Sequence, residues 1–109
     1  MNEELDLNKI REKITTLDQQ LLALFAERRS LTLNVAKSKA HQVRPVRDQQ
    51  REQELLIRLI KQGKEYGLDA HYVTSVFQMI IEDSVLNQQA YLQTLANPNI
   101  ELPTVSVAF

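Results

Sequence analysis

The sequence predicts an all-α fold of three helices, one of them very long, intertwined with a second copy as a helical homodimer. Three observations predict it: few helix-breaking residues, apolar residues at helical spacing in three segments, and a first segment too long for a compact monomer. Of 109 residues only 2 are glycine and 3 are proline, and 25% are charged. This composition is more typical of helical proteins than of sandwiches or barrels.

The first helix is predicted over residues 5–40, where neither glycine nor proline occurs. Its apolar positions follow one another at steps of three and four, provided that Arg28 is counted as one of them. They are Leu7, Ile10, Ile14, Leu17, Leu21, Leu24, Leu31 and Val35. Pro45 ends the pattern, and residues 42–44 are predicted to form a loop because proline disfavours helix in the residue before it.

Two shorter helices are predicted after this loop. Asp48 can cap the second, because its carboxylate can accept hydrogen bonds from free backbone N–H groups. Gly67 is a suitable left-handed cap at the end of that helix, and Asp69 can cap the third. The inward face of the second would carry Glu52, Leu55, Leu56, Leu59 and Ile60. That of the third would carry Val73, Phe77, Ile80, Ile81, Ser84, Val85, Gln88 and Leu92, and the helix fades before Asn97.

The end of the chain changes character. Residues 104–109 alternate and are β-branched, which is more typical of an opening strand than of a helix. One strand cannot form a sheet by itself. We therefore expect one domain over residues 1–100, followed at 101–109 by a tail or linker that begins a domain absent from this chain.

The length of the first helix favours a dimer. A helix over residues 5–40 would measure roughly 54 Å. A compact monomer of this size has a radius of gyration of only about 13 Å, so two shorter helices cannot cover the whole apolar stripe. A second copy lying alongside would cover it, most commonly through a two-fold arrangement.

Composition excludes several kinds of partner and chemistry. The formal charge of −1 comes from 13 basic and 14 acidic residues without a basic block, which argues against nucleic acid. With no cysteine there is no disulfide, thiolate nucleophile or thiolate zinc site. The acidic N-terminus does not resemble a signal peptide, and the longest apolar run, residues 21–26, is too short for a membrane span. His41 and His71 have no companions at ligand spacing, so we expect no bound metal. Because we find neither a signal-peptide pattern nor a membrane span, we expect a cytoplasmic protein.

Several polar residues occupy positions where the helical pattern predicts apolar ones. Arg28 lies in the apolar stripe, and Lys39, eleven residues on, returns to within ~20° of the same line. In the third helix Ser84 and Gln88 share a face with Ile81 and Val85. In the second, Asp48, Arg51, Glu52 and Leu55 share a side. Buried polar groups are costly without partners, and convergence on one dianionic ligand would supply them.

Each of these residues also has an ordinary structural interpretation. Arg28 could fix helix register or pair with Glu27 of a neighbour, and Lys39 could be a solvated charge near a helix end. Asp48 could be only a cap, and Glu52 only a surface charge. Ser84 and Gln88 could simply lie at a helix crossing. The pattern alone does not decide between these interpretations.

Ordered motifs along nearly the whole chain resemble those of a known family. In the first helix they are Arg11-Glu12-Lys13-Ile14, Leu17-Asp18, Leu21-Leu22-Ala23-Leu24, Ala26-Glu27-Arg28-Arg29 and Val35-Ala36-Lys37-Ser38-Lys39. Later come Pro45-Val46-Arg47-Asp48, Arg51-Glu52, Phe77-Gln78, Ile80-Ile81-Glu82-Asp83-Ser84 and Gln88-Gln89. Together they resemble the all-helical chorismate mutases, in particular the N-terminal domain of bifunctional chorismate mutase–prephenate dehydratases. The tail resembles the junction into the dehydratase domain.

The resemblance implies a reaction and roles for individual residues. The reaction is the pericyclic rearrangement of chorismate to prephenate in phenylalanine and tyrosine biosynthesis, without metal, cofactor or covalent intermediate. Arg28, with Arg11 of the other subunit, would bind the two carboxylates. Lys39 would reach the ether oxygen and a carboxylate, and Gln88 would donate to the same ether oxygen from the opposite side. Glu52 and the backbone at Asp48 would hold the ring hydroxyl. Ser84 would assist at a carboxylate, Arg51 would shape the polar wall, and the carbon skeleton would pack on Val35, Ile81 and Val85.

Two other functions stay open at this point. The chain could be a non-catalytic helical dimerisation or binding module whose buried charges only fix register. It could also be an isochorismate-pyruvate lyase of the same fold, since that reaction needs similar cationic groups. The matches around Asp48, Glu52 and Gln88 favour the mutase.

Overall fold

The computed structural model describes residues 6–38 and 47–96, which form three α-helices. They are α1 (Leu7–Ser38), α2 (Gln49–Glu65) and α3 (Ala70–Ala96). The predicted all-α class and the three helices are confirmed, and neither described range contains a strand. Residues 39–40 of the predicted first helix, the loop at 42–44 and the strand-like tail at 101–109 lie outside the described residues. The domain boundary near residue 100 therefore stays a prediction.

The chain divides into two units, Met1–Leu31 and Thr32–Phe109. In the first unit α1 begins at a cap that the sequence pattern did not reveal: Asp6 Oδ1 accepts hydrogen bonds from the backbone N–H of Asn8 at 2.9 Å and of Lys9 at 3.4 Å. A carboxylate at this position satisfies two of the N–H groups that the first turn leaves without helical partners. Helix α1 therefore starts two residues later than predicted.

The apolar stripe of the first unit is exposed. Within residues 6–31 every residue is exposed except Arg28, which is half-buried. The large apolar residues of the stripe are Leu7, Ile10, Ile14, Leu17, Leu21, Leu24 and Leu31. A continuous apolar surface of this kind marks an interaction site more often than a solvated face.

In the second unit α2 packs against α3. The inward face predicted for α2 is half-buried at each of its five positions, and that of α3 is buried or half-buried throughout. The least exposed side chains are Val73, Ile81, Ser84 and Val85 of α3 and Ala36 of α1. Lys37, near the end of α1, holds its Nζ atom 5.9 Å from the ring centroid of Tyr91, a distance typical of a cation–π contact.

The connection between α2 and α3 explains their antiparallel packing. The backbone N–H of Leu68 donates to the Gly63 carbonyl at 2.9 Å, and that of Gly67 donates to the Lys64 carbonyl at 3.0 Å. This is the Schellman pattern, and Gly67 adopts the left-handed φ of 77° that it requires. Asp69 then caps α3 by accepting from the N–H of Tyr72 at 3.1 Å. Both predicted caps are confirmed.

None of the described helices combines the length and the apolar composition needed to cross a membrane.

Candidate active site

The first turn of α2 is fixed by Asp48. Its Oδ1 atom accepts a hydrogen bond from the backbone N–H of Arg51 at 3.1 Å, and its carbonyl accepts from the N–H of Glu52 at 3.0 Å. Asp48 has extended backbone angles, as a capping residue should. The predicted cap is therefore confirmed, and the Asp48 carboxylate is committed to the backbone of its own helix. Arg51 and Glu52 are set on the first turn by this arrangement.

The Glu52 carboxylate is held by an arginine just before the helix. Arg47 donates from Nε to Glu52 Oε2 at 3.1 Å and to Oε1 at 3.3 Å, and from Nη2 to Oε1 at 3.1 Å. Two nitrogens of the guanidinium thus engage both oxygens of the carboxylate. Such a fork fixes the orientation of a carboxylate as well as pairing its charge.

The same guanidinium reaches α3. Nη2 of Arg47 lies 2.6 Å from Glu82 Oε2, and Nη1 donates to Oε1 at 3.4 Å. The hydrogen bonds from Arg47 to Glu52, and to a smaller extent those to Glu82, raise the pKa of Arg47 further above its ordinary value. Of the three side chains Glu52 is the least exposed, at 21% against 40% for Arg47 and 50% for Glu82. One cation therefore ties the start of α2 to the middle of α3.

An open groove of about 410 Å³ lies beside these charges. Its lining combines the carboxylates of Glu52 and Glu82 and the guanidinium of Arg47 with the apolar side chains of Leu56 and Ile81. The other lining residues, Gln49, Gln53 and Gln78, are amides, so the groove is mostly polar and offers several groups that could orient a small polar ligand. The groove brings together two of the predicted site residues, Glu52 and Ile81.

The other predicted residues of α3 follow the same face. Ile81, Ser84, Val85 and Gln88 are spaced by three, one and three residues, which places them along one side of a helix. Ser84 is only 6% exposed, and its hydroxyl donates to the Ile80 carbonyl at 3.1 Å. Gln88, one turn beyond Ser84, is half-buried. An amide and a hydroxyl thus lie on the same side of α3 as the buried Ile81 and Val85.

The two predicted arginines of α1 lie far from each other. Arg11 lines a shallow depression with Asn8, Glu12 and Thr15, and Arg28 is half-buried. They are seventeen positions apart in one continuous helix, which separates them by about 25 Å along the axis. The two arginines of one chain therefore cannot grip the same small molecule.

Two further site residues, Val35 and Lys39, were predicted near the end of the first helix. Val35 is 43% exposed. Lys39 lies outside the described residues, so its position stays a prediction.

Sequence reasoning gave no role to Arg47 or Glu82. An arginine five residues before a glutamate is a weak local signal for an ion pair, because it straddles the helix start rather than lying at helical spacing. Glu82 is 35 residues from Arg47, and only the packing of α2 on α3 brings it near. Within the described ranges no three His, Asp or Glu side chains are grouped so that they could hold a metal ion.

Fold and site together define an all-helical protein with a groove suited to a small polar ligand. Comparison with known proteins identifies the family: the model of chorismate mutase type II matches residues 10–89. The bifunctional chorismate mutase/prephenate dehydratase of Escherichia coli (strain K12) is 58% identical over 97 residues, which are 89% of this chain and 25% of that protein. The chorismate mutase of Methanocaldococcus jannaschii is 37% identical over 93 residues, 85% of this chain and 94% of that protein. This chain belongs to the type II chorismate mutase family.

The extent of the similarity differs between these relatives. The chain spans about a quarter of the length of the bifunctional enzymes, including that of Buchnera aphidicola subsp. Schizaphis graminum, which is 42% identical over 94 residues. It spans nearly all of the M. jannaschii protein.

Proposed function

We propose that this chain is a chorismate mutase, which rearranges chorismate to prephenate in the synthesis of phenylalanine and tyrosine. The observation that carries the proposal is the similarity to the M. jannaschii chorismate mutase over 94% of that protein's length. That protein is named chorismate mutase, and the similarity covers nearly all of it. The activity is therefore proposed for this chain by itself, and we make no proposal about dehydratase activity.

The proposed reaction needs neither a nucleophile nor a general acid or base from the protein. In this pericyclic reaction one C–O bond breaks while one C–C bond forms, with no proton transfer and no covalent intermediate. The protein has to hold the enolpyruvyl arm over the ring, which lowers the entropy still to be lost at the barrier. It also has to stabilise the negative charge that develops on the ether oxygen. The proposed reaction therefore uses no metal or cofactor.

The groove lined by α2 and α3 carries groups that could bind the ring of the substrate. We assign the ring hydroxyl to Glu52 and the backbone at Asp48, since Glu52 lines the groove with its carboxylate already oriented. Ile81 and Val85 are buried on α3 and would pack against the carbon skeleton. Arg51, on the first turn of α2, would contribute to the polar wall.

The ether oxygen and the carboxylates need donors. We assign Gln88 and Lys39 to the ether oxygen, because an amide and an ammonium can both donate to a developing oxyanion. Ser84 would assist at a carboxylate by turning its hydroxyl from the Ile80 carbonyl, where the O···O distance is 3.1 Å. Val35 would close the apolar wall from α1.

The carboxylates of the substrate are assigned to two subunits. We propose that Arg28 of one chain and Arg11 of its partner each bind one carboxylate, in a two-fold dimer with two sites. Two observations support this. Arg11 and Arg28 of one chain are about 25 Å apart, which no small substrate spans. The apolar stripe of residues 7–31 is exposed in the single chain, and a second α1 lying antiparallel would cover it.

The compartment proposed for this enzyme is the cytoplasm, and its partners are chorismate, prephenate and a second copy of the chain. Neither nucleic acid nor a membrane is proposed, because the charge is nearly balanced, with 13 basic and 14 acidic residues.

A single assay with two product channels tests the function. Purified protein is incubated with chorismate, and separately with isochorismate, while chorismate, prephenate and pyruvate are followed by chromatography. We expect chorismate to be consumed with stoichiometric formation of prephenate. Release of pyruvate from isochorismate with no prephenate from chorismate would identify the lyase instead. No turnover, with a melting temperature unchanged by a bicyclic transition-state analogue, would identify a binding module, since a true ligand raises the melting temperature by mass action.

A further inference from the structure

We propose that Arg47 is a positioning residue of this enzyme, which holds the Glu52 carboxylate in the orientation that receives the ring hydroxyl of chorismate. The proposal rests on the proposed function, because it acts through the contact between Glu52 and the substrate. Arg47 was assigned no role by the sequence pattern. Its geometry in the second unit carries the inference.

Arg47 fixes the orientation of the Glu52 carboxylate rather than merely attracting its charge. Three N–H···O distances of 3.1 to 3.3 Å join Arg47 Nε and Nη2 to the two oxygens of Glu52. A glutamate side chain has three rotatable bonds, and it loses substantial rotamer freedom when it is ordered. Because Arg47 holds both oxygens, that freedom is already removed before a ligand arrives. Such preorganisation improves affinity by lowering the ordering cost of binding.

The Arg47 side chain is itself held in place by Glu82 of α3. Its Nη2 lies 2.6 Å from Glu82 Oε2 and its Nη1 3.4 Å from Oε1. A single exposed ion pair contributes little to stability. The Arg47 guanidinium instead binds two carboxylates at once, and this restricts its orientation. Glu82 is next to Ile81, which lines the same groove as Glu52. Arg47 thereby fixes the orientation of the Glu52 carboxylate relative to the side of α3 on which the substrate would lie.

The Glu52 carboxylate can still accept a hydrogen bond from a ligand. An ionised carboxylate has about four lone-pair positions on its two oxygens, and it can accept a fork from arginine while other positions stay available. Of the three charged side chains Glu52 is the one that is only 21% exposed, so a hydroxyl that reaches it leaves bulk water. Arg47 touches neither the reacting bonds nor the ether oxygen in this account and is not a catalytic residue.

The test uses variants that separate orientation from charge. Arg47→Gln removes the fork but also leaves two carboxylates with one cation fewer. Combining it with Glu82→Gln restores the summed charge of the three side chains while the fork stays absent. Arg47→Lys keeps the charge but offers a point donor in place of a fork. Arg58→Gln, at an exposed position of α2 outside the site, is the matched control.

Each protein is assayed with chorismate and with an analogue that lacks the ring hydroxyl. We expect Arg47→Gln and the double variant to raise KM for chorismate roughly tenfold, the range of a hydrogen bond to a charged group. The value of kcat should stay within about twofold, because the hydroxyl contact is the same in the ground and transition states. Arg47→Lys should recover part of the loss. With the analogue, the double variant should match wild type, and Arg58→Gln should match it with both substrates.

Two results would overturn the inference: an unchanged KM for chorismate in the double variant, or an equal rise of KM with both substrates, which would mean general damage to the groove. The proposed function fails in a different way. If the unaltered protein does not convert chorismate, the function itself is wrong. If Glu52→Gln leaves KM unchanged, the assignment of the hydroxyl to Glu52 is wrong. A wild-type enzyme sensitive to Glu52→Gln but not to the loss of Arg47 contradicts the positioning role alone.

Discussion

Gly63 of α2 lies so close to Val73 of α3 that a Cβ atom on the glycine would stand 2.6 Å from Val73 Cγ2. Both residues are buried in the second unit. Real Cβ atoms do not approach a methyl group to this distance, so only a glycine lets α2 and α3 meet here. The close approach lies one turn before the Schellman cap, at the end of α2 that connects to α3.

We therefore predict that Gly63→Ala destabilises the fold. Alanine gains about 1 kcal/mol over glycine in a helix interior. Overpacking a core contact costs about 1–3 kcal/mol, and valine is stiff at χ1 and cannot easily turn its methyl away. The expected net effect is a loss of about 1 kcal/mol in the free energy of unfolding, measured by urea denaturation at fixed protein concentration.

The control for this prediction is the same substitution in a Val73→Ala background. Removing Cγ2 removes the clash, so Gly63→Ala should there be neutral or stabilising. A Gly63→Ala protein that is more stable than the wild type in the native background would show that the helices separate at no cost, which would contradict the account of the packing.

Loss of a proposed cation should reduce catalysis far more than stability. Arg28→Ala and Lys39→Ala should each lower turnover by about 10²–10³, the usual effect of removing one donor to a developing oxyanion or one positioning contact. Both variants should remain dimers by analytical ultracentrifugation. Arg29→Ala, one position away and turned by ~100° from Arg28, is the matched control and should retain most activity. Near-normal turnover in Arg28→Ala or in Lys39→Ala would refute that part of the site.

Activity and stability should vary little around neutral pH. Hydrogen bonds to Glu52 and then Glu82 raise the pKa of Arg47. A cation with a raised pKa stabilises the fold at all pH values below its unfolded pKa, and this is lost only as pH rises through the folded value. Both values lie in the strongly alkaline range, so the Arg47 contribution should be constant from about pH 6 to about pH 9.

The proposed donors behave in the same way. Gln88 does not titrate, and Lys39 should stay charged well above neutrality. A profile of kcat/KM against pH is therefore expected to vary less than about twofold between pH 6 and 8.5. A sharp bell with a midpoint near pH 6.5 would instead implicate a histidine.

Local sequence signals predicted most of the helical structure. Asp48, Gly67 and Asp69 act through hydrogen bonds and backbone angles within a few residues, so their capping roles could be inferred from type and position alone. The inward faces of α2 and α3 followed from helical periodicity. The Asp6 cap was missed because the predicted start at residue 5 rested on the absence of glycine and proline, which does not locate the first turn of a helix.

The site was predicted less completely for a physical reason. Glu52, Ser84 and Gln88 stand out because polar side chains at apolar positions of a helix are visible in the pattern. Arg47 and Glu82 do not, because both are charged residues in ordinary positions, and their contact depends on how α2 packs on α3. Neither periodicity nor spacing carries the information that Arg47 and Glu82, which are 35 residues apart in the sequence, form an ion pair.

We propose that each site takes Arg28 from one chain and Arg11 from its partner. The most direct measurement is the mutase activity of a mixture of Arg11→Ala and Arg28→Ala proteins, unfolded together and refolded. Each variant alone should be almost inactive. Random association puts about half of the subunits in mixed dimers with one intact site of two, so about a quarter of wild-type activity should return. A mixture that stays at the mean of its two inactive parents would contradict the shared site.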